Sequence, residues 1–269
     1  MNLIETFYKK MSKQTFEPYG MLDAQNKIHI FGTDSKIIGR IFEMYTQPVL
    51  QEIANENGYI LKTPESQTVY PDFILMKSEE SKDKIAIDVK TTYIDKDTSS
   101  LKFTLGSFGS YMRNNTKNIE YLYTDYSKHY VIGFIYKRNG NAQESLIFDY
   151  EDRQKIEFPF CEVKYFIQEK YKIAGDKPGS GNTENIGSIS SNHFEDFERG
   201  KGPFAELGQD AYELYWKYYP EYRTPVKNYT SLNEFLFWIQ TQKELELLHN
   251  FDMDAVQEKV KAYIFKHEL

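Results

Sequence analysis

Three charged side chains stand where a buried hairpin is otherwise expected. In YPDFILMKSEESKDKIAIDVK, residues 70–90, two apolar runs flank a polar centre, and Asp72, Asp88 and Lys90 lie within the runs. Side chains alternate between the faces of a strand. Ile85, Ile87 and Val89 therefore share one face and Ala86, Asp88 and Lys90 the other, with Asp88 and Lys90 roughly 7 Å apart along the strand. Residues 78–82 suit a hairpin loop, and pairing 77 with 83 across it sets Asp72 directly opposite Asp88. Like charges so opposed destabilise a ladder, and a divalent cation between the carboxylates relieves the repulsion. Hard cations such as Mg²⁺ take oxygen ligands and keep several waters. Lys90, at the edge of such a site, is placed to stabilise developing negative charge. On spacing alone a plain surface hairpin, with Lys90 simply pairing with Asp88, stands beside this reading. Glu43, next to the apolar face of a predicted helix, is a further carboxylate available either to the site or to solvent.

The elements that must hold these residues follow from the pattern of apolar positions. A helix is predicted over 2–17 and a short strand over 27–32, with Thr33, Asp34 or Ser35 as N-cap of the next helix. In that helix Ile38, Ile41, Phe42, Tyr45, Val49 and Ile53 keep helical spacing, and Pro48 is expected to kink or interrupt it. Strands are predicted at 70–77, 84–93, 101–106, 129–138 and within 156–174, with a turn or short helix at 109–118. A Gly, Ser and Asn-rich loop covers 175–188. From 192 onward the pattern is helical. This gives an α/β chain of mixed α+β character, with residues 1–190 as a core and 191–269 as a helical C-terminal subdomain.

The chain has 269 residues, enough for one large domain or a domain with a smaller lobe. Its net charge of −7 argues against a blanket basic surface, so a nucleic-acid partner requires a local basic cleft. The single cysteine, Cys161, precludes an internal disulfide and fits a reducing compartment; it reads as a small core residue. The first residues lack the apolar stretch of a signal peptide, and no run is long enough to span a bilayer. The expected location is cytoplasmic, without membrane association. The terminal KHEL only loosely resembles a retention signal. The five histidines show no metal-ligand spacing.

The hairpin residues, taken with SKIIGRIFEMY (35–45), YPDF (70–73), KIAIDVKTTY (84–93), KFTLG (102–106), RNNTKNI (113–119) and AGDKPGSGNTENIGSI (174–189), closely resemble the EcoRV-type type II restriction endonucleases of the PD-(D/E)-x-K nuclease superfamily. The resemblance runs from about residue 20 to 205. It implies a central mixed β-sheet flanked by helices, in a U-shaped homodimer that cuts palindromic duplex DNA with Mg²⁺, for which Mn²⁺ substitutes. It makes Asp72, Asp88 and Glu43 metal-binding residues and Lys90 the catalytic lysine. The implied reaction is phosphodiester hydrolysis leaving a 5′-phosphate, at GATATC or a near relative, with a blunt central cut. Bending of the readily deformed central TA step helps assemble the site. A cognate DNA methyltransferase is the implied genetic partner.

The resemblance also gives the Gly-rich loop a role that its composition, which fits a surface loop, does not. Gly179, Ser180, Gly181, Asn182 and Thr183 match a loop that reads base edges in the major groove. Glycines let backbone approach bases; Asn bonds adenine N6 and N7 together, and a Thr methyl contacts thymine. Glu184 stands where the family has a neutral residue; its carboxylate either accepts from cytosine N4 or repels phosphate. Lys36, Thr92, Thr104, Ser110, Arg113, Asn115 and Lys117 match backbone contacts, and Gln67 a minor-groove loop in which Thr68 and Val69 depart from the pattern. Residues 205–269 depart most, being longer and more acidic. Two other readings remain at this stage: a repair or structure-specific nuclease of the same superfamily, and a DNA-binding module that does not cleave.

Overall fold

The hairpin forms in the anticipated register. In the computed structural model, which describes residues 2–66, 68–94, 100–179, 184–221, 223–242 and 251–269, Phe73 pairs with Ile87, Ile74 with Ala86 and Leu75 with Ile85. Its loop is closed by Lys84, whose buried ammonium donates to the carbonyls of Glu79 and Ser81 and lies 4.3 Å from the Tyr121 ring centre.

The chain opens with α1 (Leu3–Met11), β1 (Met21–Leu22), β2 (Lys27–Phe31), α2 (Ser35–Asn57) and β3 (Ile60–Lys62). The hairpin strands are β4 (Phe73–Met76) and β5 (Lys84–Ile94), followed by β6 (Thr104–Ser107), β7 (Tyr126–Arg138), β8 (Glu144–Asp149) and β9 (Phe160–Glu169). One helical turn, α3 (Lys170–Ile173), leads into the hairpin β10 (Ala174–Pro178) and β11 (Asn185–Ser188). Helices α4 (Phe194–Glu198), α5 (Phe204–Leu207), α6 (Gln209–Lys217), α7 (Leu232–Gln240) and α8 (Met253–His267) complete the described chain.

The central sheet is mixed, in the order β3-β4-β5-β7-β9, with β5 and β7 parallel and the other neighbours antiparallel. Alternation along β5 distributes its side chains as the sequence requires. Ile85, Ile87 and Val89 enter one core with Phe7 of α1 and Ile38, Phe42 and Ile53 of α2. Ala86 enters the other, with residues of α4 to α8. Two three-stranded sheets, β1-β2-β8 and β10-β11-β6, flank this frame.

Helix α2 begins at Asp34, whose side chain accepts from the Lys36 and Ile37 N–H groups and so satisfies donors that the first turn leaves open. It then runs through Pro48 as one helix, without the interruption that was one of the two expectations there. The missing N–H costs about 3 kcal/mol, but Val49, Leu50 and Ile53 beyond it are fully packed on the sheet. Phe42 fixes the helix laterally, stacked on Phe134 with ring centres 4.4 Å apart. Phe42→Ala is expected to lower unfolding free energy by about 3–5 kcal/mol, measurable by urea denaturation.

Two further expectations are corrected. Cys161 is exposed and does not belong to the core. It lies at the start of the sheet-edge strand β9, opposite Lys137, in a stretch where Glu162 and Lys164 are exposed too. The segment 175–188 is largely ordered hairpin, because its flanks pair as β10 and β11. Among the described residues no helix is long and apolar enough to cross a membrane.

Candidate active site

Asp72 immediately precedes β4, and the hairpin register carries it opposite Asp88 on β5. Its Oδ2 accepts a 2.7 Å hydrogen bond from the Val89 N–H, which fixes it across the ladder. Asp88 is 3% exposed. The Lys90 ammonium lies 2.7 Å from Asp88 Oδ2 and 4.0 Å from Asp72 Oδ2. Asp88 Oδ2 nevertheless accepts no aligned hydrogen bond, so charge rather than directed bonding holds it.

Burial pushes both carboxyls up, but their surroundings then part them. Burial and the neighbouring Asp88 charge bring Asp72 up to about 7. For Asp88 the ammonium groups of Lys90 and Lys170 outweigh burial and hold it below its ordinary value. Burial pulls Lys90 down, but the two carboxylates overcome this and raise it. The centre thus contains one firmly ionised carboxylate, one that takes its charge reluctantly, and a fixed ammonium.

Asp72 and Lys90 open onto a cleft of about 730 Å³. Along it Lys36, Arg40, Lys90 and Lys102 face Glu43, Glu65 and Asp72. Glu43 reaches this cleft from α2 but is ion-paired with Arg40. Among the described residues no three His, Cys, Asp or Glu side chains gather into one metal-holding group. The paired aspartates still fit a hard divalent cation, because Asp88 Oδ2 is buried without a hydrogen bond and such ions commonly take one or two carboxylates together with substrate oxygens.

A family model of the restriction endonuclease EcoRV matches residues 12–240. The type II restriction enzyme EcoRV of Escherichia coli is 41% identical over 241 residues, covering 88% of this chain and 96% of that one. The chain belongs to the EcoRV restriction endonuclease family. It is therefore a nuclease of the hydrolase class. Among solved structures, the NlaIV restriction endonuclease aligns over 89% of this chain and 77% of its own, at 9% identity and a TM-score of 0.30, a likeness too slight to bear on the site.

The DNA-facing positions expected from the EcoRV family lie in different settings. Lys36 and Thr104 line the cleft beside Asp72 and Lys90. Thr92 lies further along β5, and Lys117 is exposed beyond the turn at Phe108–Met112. Ser110, Arg113 and Asn115 already have partners. Ser110 is buried and donates to the Lys117 carbonyl at 2.8 Å, and the Asn115 side chain accepts from the Thr124 N–H. Arg113 pairs with Glu184 at 3.2 Å, donates to the Tyr219 carbonyl and covers the Phe108 ring. Gln67 and Ser180, Gly181, Asn182 and Thr183 lie outside the described residues. Gly179 closes the stem of that loop, its N–H donating 2.7 Å to the Asn185 carbonyl, against Thr104 of the cleft wall.

Glu184 thus faces an arginine, an arrangement its sequence position did not reveal. Because the Arg113 charge is neutralised within the protein, Arg113→Gln is expected to leave the salt dependence of DNA binding unchanged. Lys117→Gln should flatten the slope of log K against log salt by about 1 per protomer. Fluorescence anisotropy across a salt series measures both.

Sequence reasoning also missed a buried group behind Asp88. Lys170, in the single turn α3, is 2% exposed and donates to the Tyr70 hydroxyl at 2.9 Å. Tyr70 in turn contacts Nδ1 of buried His129 at 2.8 Å. The only sequence signal was a lysine inside the apolar stretch FIQEKYKIAG. The added C-terminal helix α8 has a legible place as well: Val256 and Val260 are buried in the core beneath the C-terminal helices, and Lys266 pairs with Glu206.

Proposed function

We propose that this protein is a Mg²⁺-dependent type II endonuclease that acts in the cytoplasm as a homodimer. It cuts both strands of the palindrome GATATC at its centre, leaving blunt ends with 5′-phosphates, and Mn²⁺ substitutes for Mg²⁺. The observation that carries this reading is the Lys90 ammonium set between Asp72 and Asp88 on the wall of a cleft that Lys36, Arg40 and Lys102 also line, in a chain of the EcoRV family. A palindrome calls for a two-fold dimer whose symmetry matches the site. A cognate methyltransferase protects the host's own sites.

In this reading Asp72 and Asp88 hold the cation, with Glu43 joining when it leaves Arg40. When bound, the cation supplies Lewis-acid stabilisation of negative charge on the phosphoryl oxygens. Lys90 has two tasks. Its charge keeps Asp88 ionised, and its position at the cleft wall lets it stabilise charge growing on the scissile phosphate as water attacks phosphorus in line. Lys36 and Lys117 hold the flanking phosphates and so set register without reading sequence. The residues 179–183, carried on the β10–β11 stem, read the bases from the major groove.

Digestion of a plasmid bearing one GATATC, with Mg²⁺ and separately with Ca²⁺, followed by sequencing of the ends, tests the proposal. Blunt ends at the central TA, produced with Mg²⁺ alone, are the expected result. Cuts at another sequence would retain the nuclease and move the specificity, and no cutting with any metal would overturn the reading.

A further inference from the structure

Lys170 places a second ammonium beside the Asp88 oxygen that faces Lys90. Its ammonium is 3.9 Å from Asp88 Oδ2, too far for a hydrogen bond, so its influence on that carboxylate is that of a charge. It is anchored by other means. Its Nζ donates 2.9 Å to the Tyr70 hydroxyl and sits 4.0 Å and 5.6 Å from the ring centres of Tyr70 and Tyr111, which stack on each other. A lysine so enclosed needs a reason, because burying an ammonium is costly unless a partner offsets it. The partner is the active-site pair itself. Asp72 and Asp88 set two carboxyls against the ammonium groups of Lys90 and Lys170, while Glu43 pairs separately with Arg40.

We propose that Lys170 is a positioning residue that sets the divalent-cation affinity of the Asp72–Asp88 pair, its buried ammonium, 3.9 Å from Asp88, weakening cation binding there in the absence of DNA. The inference rests on the assignment of the pair as the cation site. Without Lys170 the pair faces one ammonium instead of two and would hold a divalent cation more tightly in the absence of DNA. With Lys170 in place, a nearby DNA phosphate would offset its positive charge. Lys90, at 2.7 Å, remains the nearest charge to Asp88, and Lys170 makes no hydrogen bond to it, so neutralising Lys170 changes the field at the pair more than its geometry.

Calorimetric titration of DNA-free protein with Mn²⁺ at pH 7 tests this. Lys170→Met and Lys170→Gln are each expected to bind Mn²⁺ at least about tenfold more tightly than the parent, and Lys170→Arg to keep the parent affinity. Gln retains a polar group for the Tyr70 hydroxyl, so a folded variant is at hand if Met does not fold, and thermal melts identify which are folded. Unchanged or weaker binding in the folded neutral variants, or tighter binding in Lys170→Arg as well, overturns the role given to Lys170. Asp88→Asn separates the two levels of the argument. If it keeps the parent Mn²⁺ affinity, the cation does not sit at the pair and the underlying assignment fails. If it loses that affinity while the Lys170 variants stay unchanged, only the inference about Lys170 fails.

Discussion

Asp72→Asn and Asp88→Asn are expected to lose cleavage alike, by about a thousandfold or more, while moving stability in opposite directions. Activity is expected to fall in both because each removes a carboxylate from the proposed cation site. Stability divides because the two charges are held differently. Burial and the Asp88 charge bring Asp72 to about 7, above its ordinary value of 3.8. A carboxyl whose pKa is higher in the folded than in the unfolded state disfavours folding wherever the unfolded chain has released the proton and the fold resists doing so. The penalty is absent below the unfolded value, grows as pH rises through the window between 3.8 and about 7, and is complete above it. In chelator at pH 8, Asp72→Asn should therefore melt at a higher temperature than the parent, and the gain should shrink toward pH 4. Asp88 has the opposite sign. Lys90 and Lys170 hold it ionised in spite of burial, and Asp88→Asn leaves both ammonium groups without their carboxylate, at a cost of about 3–5 kcal/mol. Thermal melts at pH 5 and pH 8 beside a plasmid-cleavage assay measure both effects. If Asp88→Asn is the stabilised variant, the assignment of the firmly ionised carboxylate is wrong.

Which parts of this site were legible in the sequence depended on how far apart in the chain the partners lie. The hairpin was legible because strand alternation has a period of two and a short polar loop allows few registers. Asp72 opposite Asp88 followed from local pattern alone, and so did the apolar face of α2; the cap was legible only as one of Thr33, Asp34 or Ser35, of which the structure uses Asp34. The partners of Asp88 were only half legible. Lys90 is two residues away, whereas Lys170 reaches Asp88 only because β9 returns antiparallel to β7, which itself pairs with β5. No local pattern encodes that path. The pairing of Arg113 with Glu184 likewise spans 71 residues, and each partner in isolation reads as a DNA contact. Pro48 and Cys161 fail for a different reason. Local preference argued for a kink or an interruption and for burial, and tertiary packing decided otherwise: α2 continues on the sheet beyond its proline, and Cys161 and Glu162 of an edge strand remain in solvent.

Base recognition supplies the second large effect. Asn182→Ala is expected to lose discrimination at one adenine of each half-site, with little change in binding to unrelated DNA. An asparagine that bonds adenine N6 and N7 together contributes about 1–3 kcal/mol of discrimination. A two-fold dimer on a palindrome makes that contact twice, so about 2–6 kcal/mol is lost over the whole site. The backbone contacts are untouched, because Lys36 and Lys117 stand on α2 and beyond the Phe108–Met112 turn and not on the loop. The stem also remains in place. Gly179 stays bonded to Asn185, and the Glu184 carbonyl still accepts from the Phe108 and Gly109 N–H groups. The loss should thus appear as a collapse of the cleavage-rate ratio between GATATC and sites altered at one A·T pair, under unchanged salt dependence. Measured over such single-substitution sites, an equal fall on every sequence would make Asn182 a backbone contact and move base reading to other residues of the loop. In that case Glu184, tied through Arg113 to the C-terminal segment at Tyr219, becomes the first position to exchange for a neutral residue.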